Sequence, residues 1–506
     1  MTVKKKSVFA FAAVALAVLV LAVTALSLMS STNLLTKARR NCDTITINAE
    51  YNSVAKTLDV VQNVRYENRT EVTLTGIKFH IYANAYRDGA KFSPVTSNEV
   101  PKAYPSGKSF GNISVGSVKV GGAAVGVFIE GEDENVLSVP LITPLRPGKN
   151  VSIDLTYTIK LANIKHRLGW TDNAVNLGNF YPVPVIFEDG AWQTYPYSHN
   201  GDPFYNALHN FNVTMKCDRD LVVASSGTLV STDEQGLKSV YAFKSSAIRD
   251  FAMVLSKNFE NVTKVVDKIT VNYFYLDDSD PQQSLRTAVD SIKTFSRLFT
   301  KYPYKQLSVV QTDFLHGGME YGELVYIALD VLTGDGDNEP SRSSHNQVII
   351  HEIAHQWWYG ITGNNQVHTA WIDEGLAEYS TLLFYDHNPQ YKVETKRLIA
   401  NARDNYSFYV KLINTLGAEV DPEMNKDLNT FRTSYDYVFM TYVRGMLLFA
   451  DLEKLLGQSL LTRGLREFAR ETSFGFATQD KLVKSLERTT RFKLQLFFDS
   501  FLSGNN

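Results

Sequence analysis

Cysteine is almost missing from this chain, with Cys42 and Cys217 the only two in 506 residues. Neither belongs to a CxxC pair, so a disulfide framework and a cysteine-based zinc cluster are both excluded. Whether the two bond to each other or stand as separate small core residues stays open. An excess of charge is missing too, with 51 Lys and Arg against 53 Asp and Glu. There is no clustered basic face to track a polyanion, which removes nucleic acid from the favoured partners. No internal repeat and no low-complexity linker occurs. At 44% hydrophobic the chain is not disordered or fibrous, and its length allows two or three domains, each with its own core.

One long hydrophobic run is present. Residues 8–29 carry no charge and follow Lys4, Lys5 and Lys6, and about 20 such residues cross a bilayer. A basic start followed by an apolar run predicts export. Cleaved signal peptides have shorter apolar cores of about 7–15 residues, so the length favours an uncleaved anchor; Val23-Thr24-Ala25 offers the alternative of cleavage and secretion. The expectation is an N-terminal transmembrane helix with a short stalk over residues 1–41. It would make the protein single-pass in the cell membrane, with its body outside the cytoplasm.

Residues 42–260 are expected to form a β domain, because apolar residues recur with period two. Val151, Ile153, Leu155, Tyr157 and Ile159 alternate with Ser152, Asp154, Thr156 and Thr158, the signature of a strand with one face buried. Similar runs occupy residues 44–49, 57–66, 71–82, 213–215 and 221–230. After residue 261 the period lengthens. A strand over 269–276 leads into Leu285, Val289, Ile292, Phe295 and Phe299 at helical spacing. Short strands over 307–314 and 319–329 then precede a helix over 341–359, and a loop with Gly360, Gly363, Asn364 and Asn365 separates it from a further helix starting near Thr369. Residues 261–506 thus read as a small sheet packed against a helical lobe, and the whole is multidomain α+β.

His351-Glu352-Ile353-Ala354-His355 lies inside a helical stretch, so both imidazoles occupy one face, one turn apart, within reach of a single cation. Catalytic zinc takes three protein ligands and keeps one position open. Glu374 is the candidate third ligand, because the intervening residues let one helix end, a loop turn, and a second helix return. Its neighbour Asp373 is the rival. Glu352 projects beside the metal rather than onto it, where a carboxylate can take a proton from the attacking water. One zinc ion per chain is expected.

In order and spacing these residues resemble the M1 family of gluzincin metallopeptidases. The family's Gly-x-Met-Glu-Asn motif has its counterpart in Gly317-Gly318-Met319-Glu320-Tyr321, and its glutamate after HExxH in Glu374, within Trp371-Ile372-Asp373-Glu374-Gly375. A tyrosine in a Tyr-x-Lys-Gly context corresponds to Tyr442-Val443-Arg444-Gly445, and Phe79-His80-Ile81-Tyr82-Ala83-Asn84-Ala85-Tyr86 is similar to the family's N-terminal domain. The resemblance covers roughly residues 43–500. It implies a saddle-like N-terminal β-sheet domain and a thermolysin-like catalytic domain. It also implies that Glu320 binds the α-amino group of a peptide, that Gly317, Gly318 and Met319 lie along the substrate like an added strand, and that Tyr442 donates a proton to the developing oxyanion, with Tyr437 the alternative donor. Glu378 would support a metal-binding histidine.

Tyr321 and Arg444 depart from the family's asparagine and lysine. A second amine-binding group from the N-terminal domain is not evident, although residues 195–205 are where one would stand. The large helical C-terminal domain of many relatives has no counterpart in the chain, which implies an open cleft. The expected activity is zinc-dependent hydrolysis of peptide bonds, as an aminopeptidase. A catalytically silent binding protein of the same fold is one alternative, and a zinc endopeptidase or non-peptide hydrolase is another. The sequence fixes no oligomeric state.

Overall fold

A computed structural model describes residues 34–333 and 339–504. The first half is built on an eight-stranded sheet. At its centre Asp43–Asn52 pairs antiparallel with Thr57–Glu67 and parallel with His209–Asp218. The side chains of Asp43–Asn52 alternate between buried and more exposed, as period-two patterning requires when one face meets a core. A four-stranded sheet behind it includes Val175–Gly178 and Ala252–Ser256, both wholly buried. These inner strands touch the second half directly: Tyr326 Oη donates to Met253 O at 3.3 Å and Asn176 Nδ2 to Asp313 O at 2.9 Å.

The second half opens on a five-stranded sheet ordered Glu260–Val266, Ile269–Tyr275, Gln306–Thr312, Leu324–Ala328 and Gly318–Met319. Between the second and third strands runs the helix Pro281–Leu298. It starts at Asp280, whose side chain accepts from Gln283 N, and buries Leu285, Val289, Ile292 and Phe295. A helical lobe covers this sheet. Two of its helices carry the candidate metal ligands: the HExxH helix, Glu339–Ala354, and the acidic helix, Gln366–His387.

Several expectations are corrected here. Among the described residues no helix is long and apolar enough to cross a membrane, so the described fold is multidomain α+β without a transmembrane helix. Residues 8–29, on which that expectation rests, lie outside the described residues. The predicted helix over 341–359 stops at Ala354. Tyr359 adopts φ +96 and its N–H bonds Thr362 O at 2.7 Å, so the Trp357-Trp358 stretch turns out of the helix although its apolar residues continue the pattern. The run over 221–230 divides into Val222–Ser225 and Thr228–Gln235 around Gly227, at φ +76. The run over 319–329 divides likewise, into Gly318–Met319 and Leu324–Ala328. Cys42 and Cys217 are both free thiols.

Candidate metal centre and cleft

The HExxH helix carries His351 and Glu352 on its last turn. His355 lies just past its end, yet its N–H still reaches back to His351 O at 3.3 Å. His355 Nδ1 stands 3.0 Å from Trp358 O, which assigns the proton to Nδ1 and leaves Nε2 as a lone-pair donor. On the other side, Asn365 caps the acidic helix by accepting from Val367 N, and Thr369 kinks it at φ −136, ψ 43. One turn beyond the kink, Glu374 faces the histidines.

Three atoms converge there. His351 Nε2 and His355 Nε2 are 3.1 Å apart, and Glu374 Oε2 lies 3.2 Å from the first and 3.3 Å from the second. Tetrahedral zinc with ligands at about 2.0–2.1 Å calls for ligand–ligand separations of about 3.3 Å. Glu374 Oε2 is buried with no described donor aimed at it, as an atom reserved for a cation should be. The donor set therefore fits zinc. Glu378 Oε1 stands 3.1 Å from His351 Nδ1, an outer carboxylate that orients the imidazole. Asp373 turns elsewhere: its two oxygens accept from Asn364 Nδ2 at 2.7 Å and Gln366 Nε2 at 2.8 Å.

Glu352 is buried, and burial pushes its carboxyl up to about 7, against the pull of the two histidines. A base poised near neutrality suits proton transfer. Its carboxylate lies against the backbone of Gly318, where an added Cβ would fall 2.3 Å from Glu352 Oε1. Glycine is thus what lets the Gly318–Met319 strand approach the base. That strand is the free edge of the five-stranded sheet, pairing with Leu324–Ala328 on one side only, and an edge can accept an extended peptide. Gly317 precedes it at φ +51, a conformation that favours glycine.

Glu320, at the end of the edge strand, is buried and accepts from Gln366 Nε2 at 2.8 Å. Burial, then the neighbouring Asp202 carboxylate, raises its carboxyl well above the usual range. Tyr442 stacks on the His351 ring at 5.8 Å and donates to Glu374 Oε1 at 2.6 Å. Burial followed by Glu374 holds its phenol protonated. It sits in a single π-helical turn, Phe439–Val443, a distortion that rotates a side chain off the regular helical pattern. Tyr437 packs on Tyr442 with ring centroids 5.7 Å apart. Tyr321 is instead a core residue, fitted over Gly178, and Arg444 donates to the carbonyls of Pro422 and Phe501.

Sequence reasoning missed the contribution of the β half. Arg167 pairs with Asp202 at 2.6 Å, donates to Gly201 O at 2.9 Å, and brings Nε to 3.2 Å from Met319 Sδ. Both partners are buried, and Asp202 lies in the segment searched for an amine-binding group. No local period marks either residue.

Residues 283–501 match the family profile described as "Peptidase family M1 domain". The puromycin-sensitive aminopeptidase of Caenorhabditis elegans is 23% identical over 371 residues, 70% of this chain and 38% of that protein. Aminopeptidase B of Mus musculus is 27% identical over 198 residues, 36% of this chain and 29% of its own. The match thus spans between a quarter and two fifths of these relatives. Among solved structures, an M1 zinc metallopeptidase variant from Deinococcus radiodurans superposes with TM-score 0.62 over 92% of this chain and 94% of that one, at 14% identity. The same enzyme bound to a Tyr-Ser-Ala substrate gives TM-score 0.62 at 13%. At such identities the likeness is one of fold.

Proposed function

The chain belongs to the M1 family of zinc metallopeptidases, and from that premise we propose that it is an aminopeptidase, releasing residues one at a time from the N-termini of peptides. The observation that carries this reading is the place of Glu320. A carboxylate oxygen of Glu320 and a ring nitrogen of His355 lie within 4.8 Å of each other. A peptide whose ammonium is held by Glu320 would set the carbonyl of that same residue beside the metal ligands, so the bond presented for cleavage would be the first.

His351, His355 and Glu374 would hold the zinc, which when bound supplies Lewis-acid polarisation of the scissile carbonyl and a more acidic water. The remaining steps belong to side chains. An extended substrate lies along the Gly318–Met319 edge, and Glu320 receives its ammonium. Glu352 takes the proton of the attacking water and passes it to the departing amine. Tyr442, protonated and next to the metal ligands, donates to the oxygen on which charge develops.

The test is direct. Purified protein should contain one zinc per chain and release free amino acid from aminoacyl amides, and a chelator should abolish turnover until zinc is restored. Glu352→Gln should keep its zinc while turnover falls by about 10²–10⁴-fold. Full activity in that variant removes Glu352 as the base. Cleavage of amino-acetylated peptides as fast as free ones removes the aminopeptidase reading.

A further inference from the structure

Gln366 opens the acidic helix, and its amide nitrogen donates to two carboxylates at once, Glu320 Oε1 and Asp373 Oδ2, each at 2.8 Å. Asn364 Nδ2 occupies the other Asp373 oxygen at 2.7 Å. Gln366, Glu320, Asp373 and Asn364 are all buried. The two carboxylates arrive from different elements, the substrate edge strand and the acidic helix, and approach within 4.8 Å. Like charges that close repel strongly out of water. An amide with a hydrogen for each is the neutral group that lets them coexist.

That arrangement fixes which way the amide points. The nitrogen lies between the two carboxyl groups, and Oε1 faces away from both contacts. Oε1 of Gln366 is buried and receives no hydrogen bond among the described residues. The structure thus holds a lone acceptor, oriented by two carboxylates, beside the side chain already read as the amine anchor. An α-ammonium brings three N–H donors and needs more acceptors than one carboxylate oxygen provides.

We propose that Gln366, backed by Asp373 and Asn364, is an amine-recognition residue: it holds the Glu320 carboxylate in register and offers Oε1 as a second acceptor for the substrate ammonium. Asp373 then orients Gln366, with both of its oxygens committed away from the metal. The proposal rests on the reading of Glu320 given above.

The experiment compares inhibition by an α-amino hydroxamate and by its desamino counterpart, which share the metal-binding group and differ only in the amine. Gln366→Met keeps the volume and removes both donors and the acceptor. It should lower the preference for the amino compound by about tenfold, an energy of about 1.4 kcal/mol, with desamino binding and zinc content unchanged. In a Glu320→Gln background the same substitution should alter that preference by less than about twofold, because the two residues act as one unit. Asp373→Asn should shift the preference in the same direction.

The inference is overturned if Gln366→Met weakens both inhibitors equally, or if its effect adds in full to that of Glu320→Gln. Should Gln366→Met fail to fold, an unchanged preference in Asp373→Asn overturns it. Glu320→Gln alone separates the two readings. If it leaves the preference for the amine intact, the anchor assignment itself is wrong; if it erases the preference while Gln366→Met does not, only the role of Gln366 falls.

Discussion

A buried acid can tie the stability of a fold to pH from a single position, and Glu323 is such a residue. It occupies the turn between the Gly318–Met319 edge strand and its neighbour, at φ +62, with Ser245 donating to its carboxylate. Burial pushes its carboxyl from 4.5 up to about 8, although the Ser245 hydroxyl pulls the other way. The consequence for stability follows from the sign. Below the unfolded value both states hold the proton and the group contributes nothing to the pH dependence. Between there and about pH 8 the unfolded chain has released it and the folded chain has not, so folding loses free energy as pH rises, and above that range the loss is constant. The total is on the order of 3–5 kcal/mol. Glu323→Gln, nearly isosteric and neutral, should therefore be more stable than the parent at pH 8.5 and lose that advantage steadily on acidification. Urea unfolding of zinc-saturated protein at several pH values measures it. A difference that stays constant with pH would mean that Glu323 is ionised in the folded state.

At the level of elements, the distance between Tyr442 and Glu374 is set by two glycines. Gly375 on the acidic helix and Gly445 on the helix Arg444–Leu456 meet backbone to backbone: a Cβ on Gly445 would fall 2.7 Å from Gly375 Cα, and one on Gly375 would fall 2.9 Å from Gly445 Cα. Glu374 adjoins one glycine, and the π-helical turn bearing Tyr442 ends beside the other. Gly445→Ala must push the helices apart, at about 1–3 kcal/mol of overpacking. The Tyr442–Glu374 hydrogen bond of 2.6 Å is lost with the displacement. We expect a lower melting temperature together with a kcat loss of at least tenfold, zinc content staying at one per chain; unchanged kcat would show that the crossing does not position Tyr442. What the sequence made readable, and what it hid, divides along the same line. The four-residue spacing of His351 and His355 places them on one face by helical geometry alone, and Glu374 follows once a loop is granted. Alternation in Asp43–Asn52 and Asn150–Lys160 likewise announces strands. Hidden were features decided by contacts far along the chain. The turn that follows Ala354 delivers Thr362 to a strand pairing with Gly475, in a distant part of the chain. The contact of Gln366 with Glu320 joins residues 46 positions apart, and Arg167 meets Met319 across 152. No window of neighbouring residues carries such information.

Across the whole molecule, the β half and the zinc-binding half meet over a shared core, and Arg249 is one of the groups that fasten them. It is 2% exposed. Its guanidinium donates from the β half to Tyr359 O at 2.7 Å and to Gly475 O in the catalytic half, and to Asn206 O at 2.9 Å on its own side, with the Phe476 ring 4.4 Å away. The space is tightly fitted, since a Cβ on Gly363 would fall 2.1 Å from the Arg249 guanidinium carbon. Lighter fastenings run alongside, from Asn200 Nδ2 to Leu428 O and from Asn429 Nδ2 to Tyr197 O, both 3.1 Å. Arg249→Met keeps most of the apolar volume and leaves three carbonyls without their donor, those of Tyr359 and Asn206 buried and that of Gly475 half-buried, a loss of about 3–5 kcal/mol. Because two of those carbonyls lie across the interface, the damage falls on the coupling between halves rather than on either core. The parent protein should therefore unfold in one calorimetric transition, and Arg249→Met in two, of which only the one belonging to the zinc-binding half moves when zinc is chelated. A single transition in the variant, merely shifted down and following zinc as a whole, would mean that the shared hydrophobic core already couples the halves and that Arg249 only adds to it.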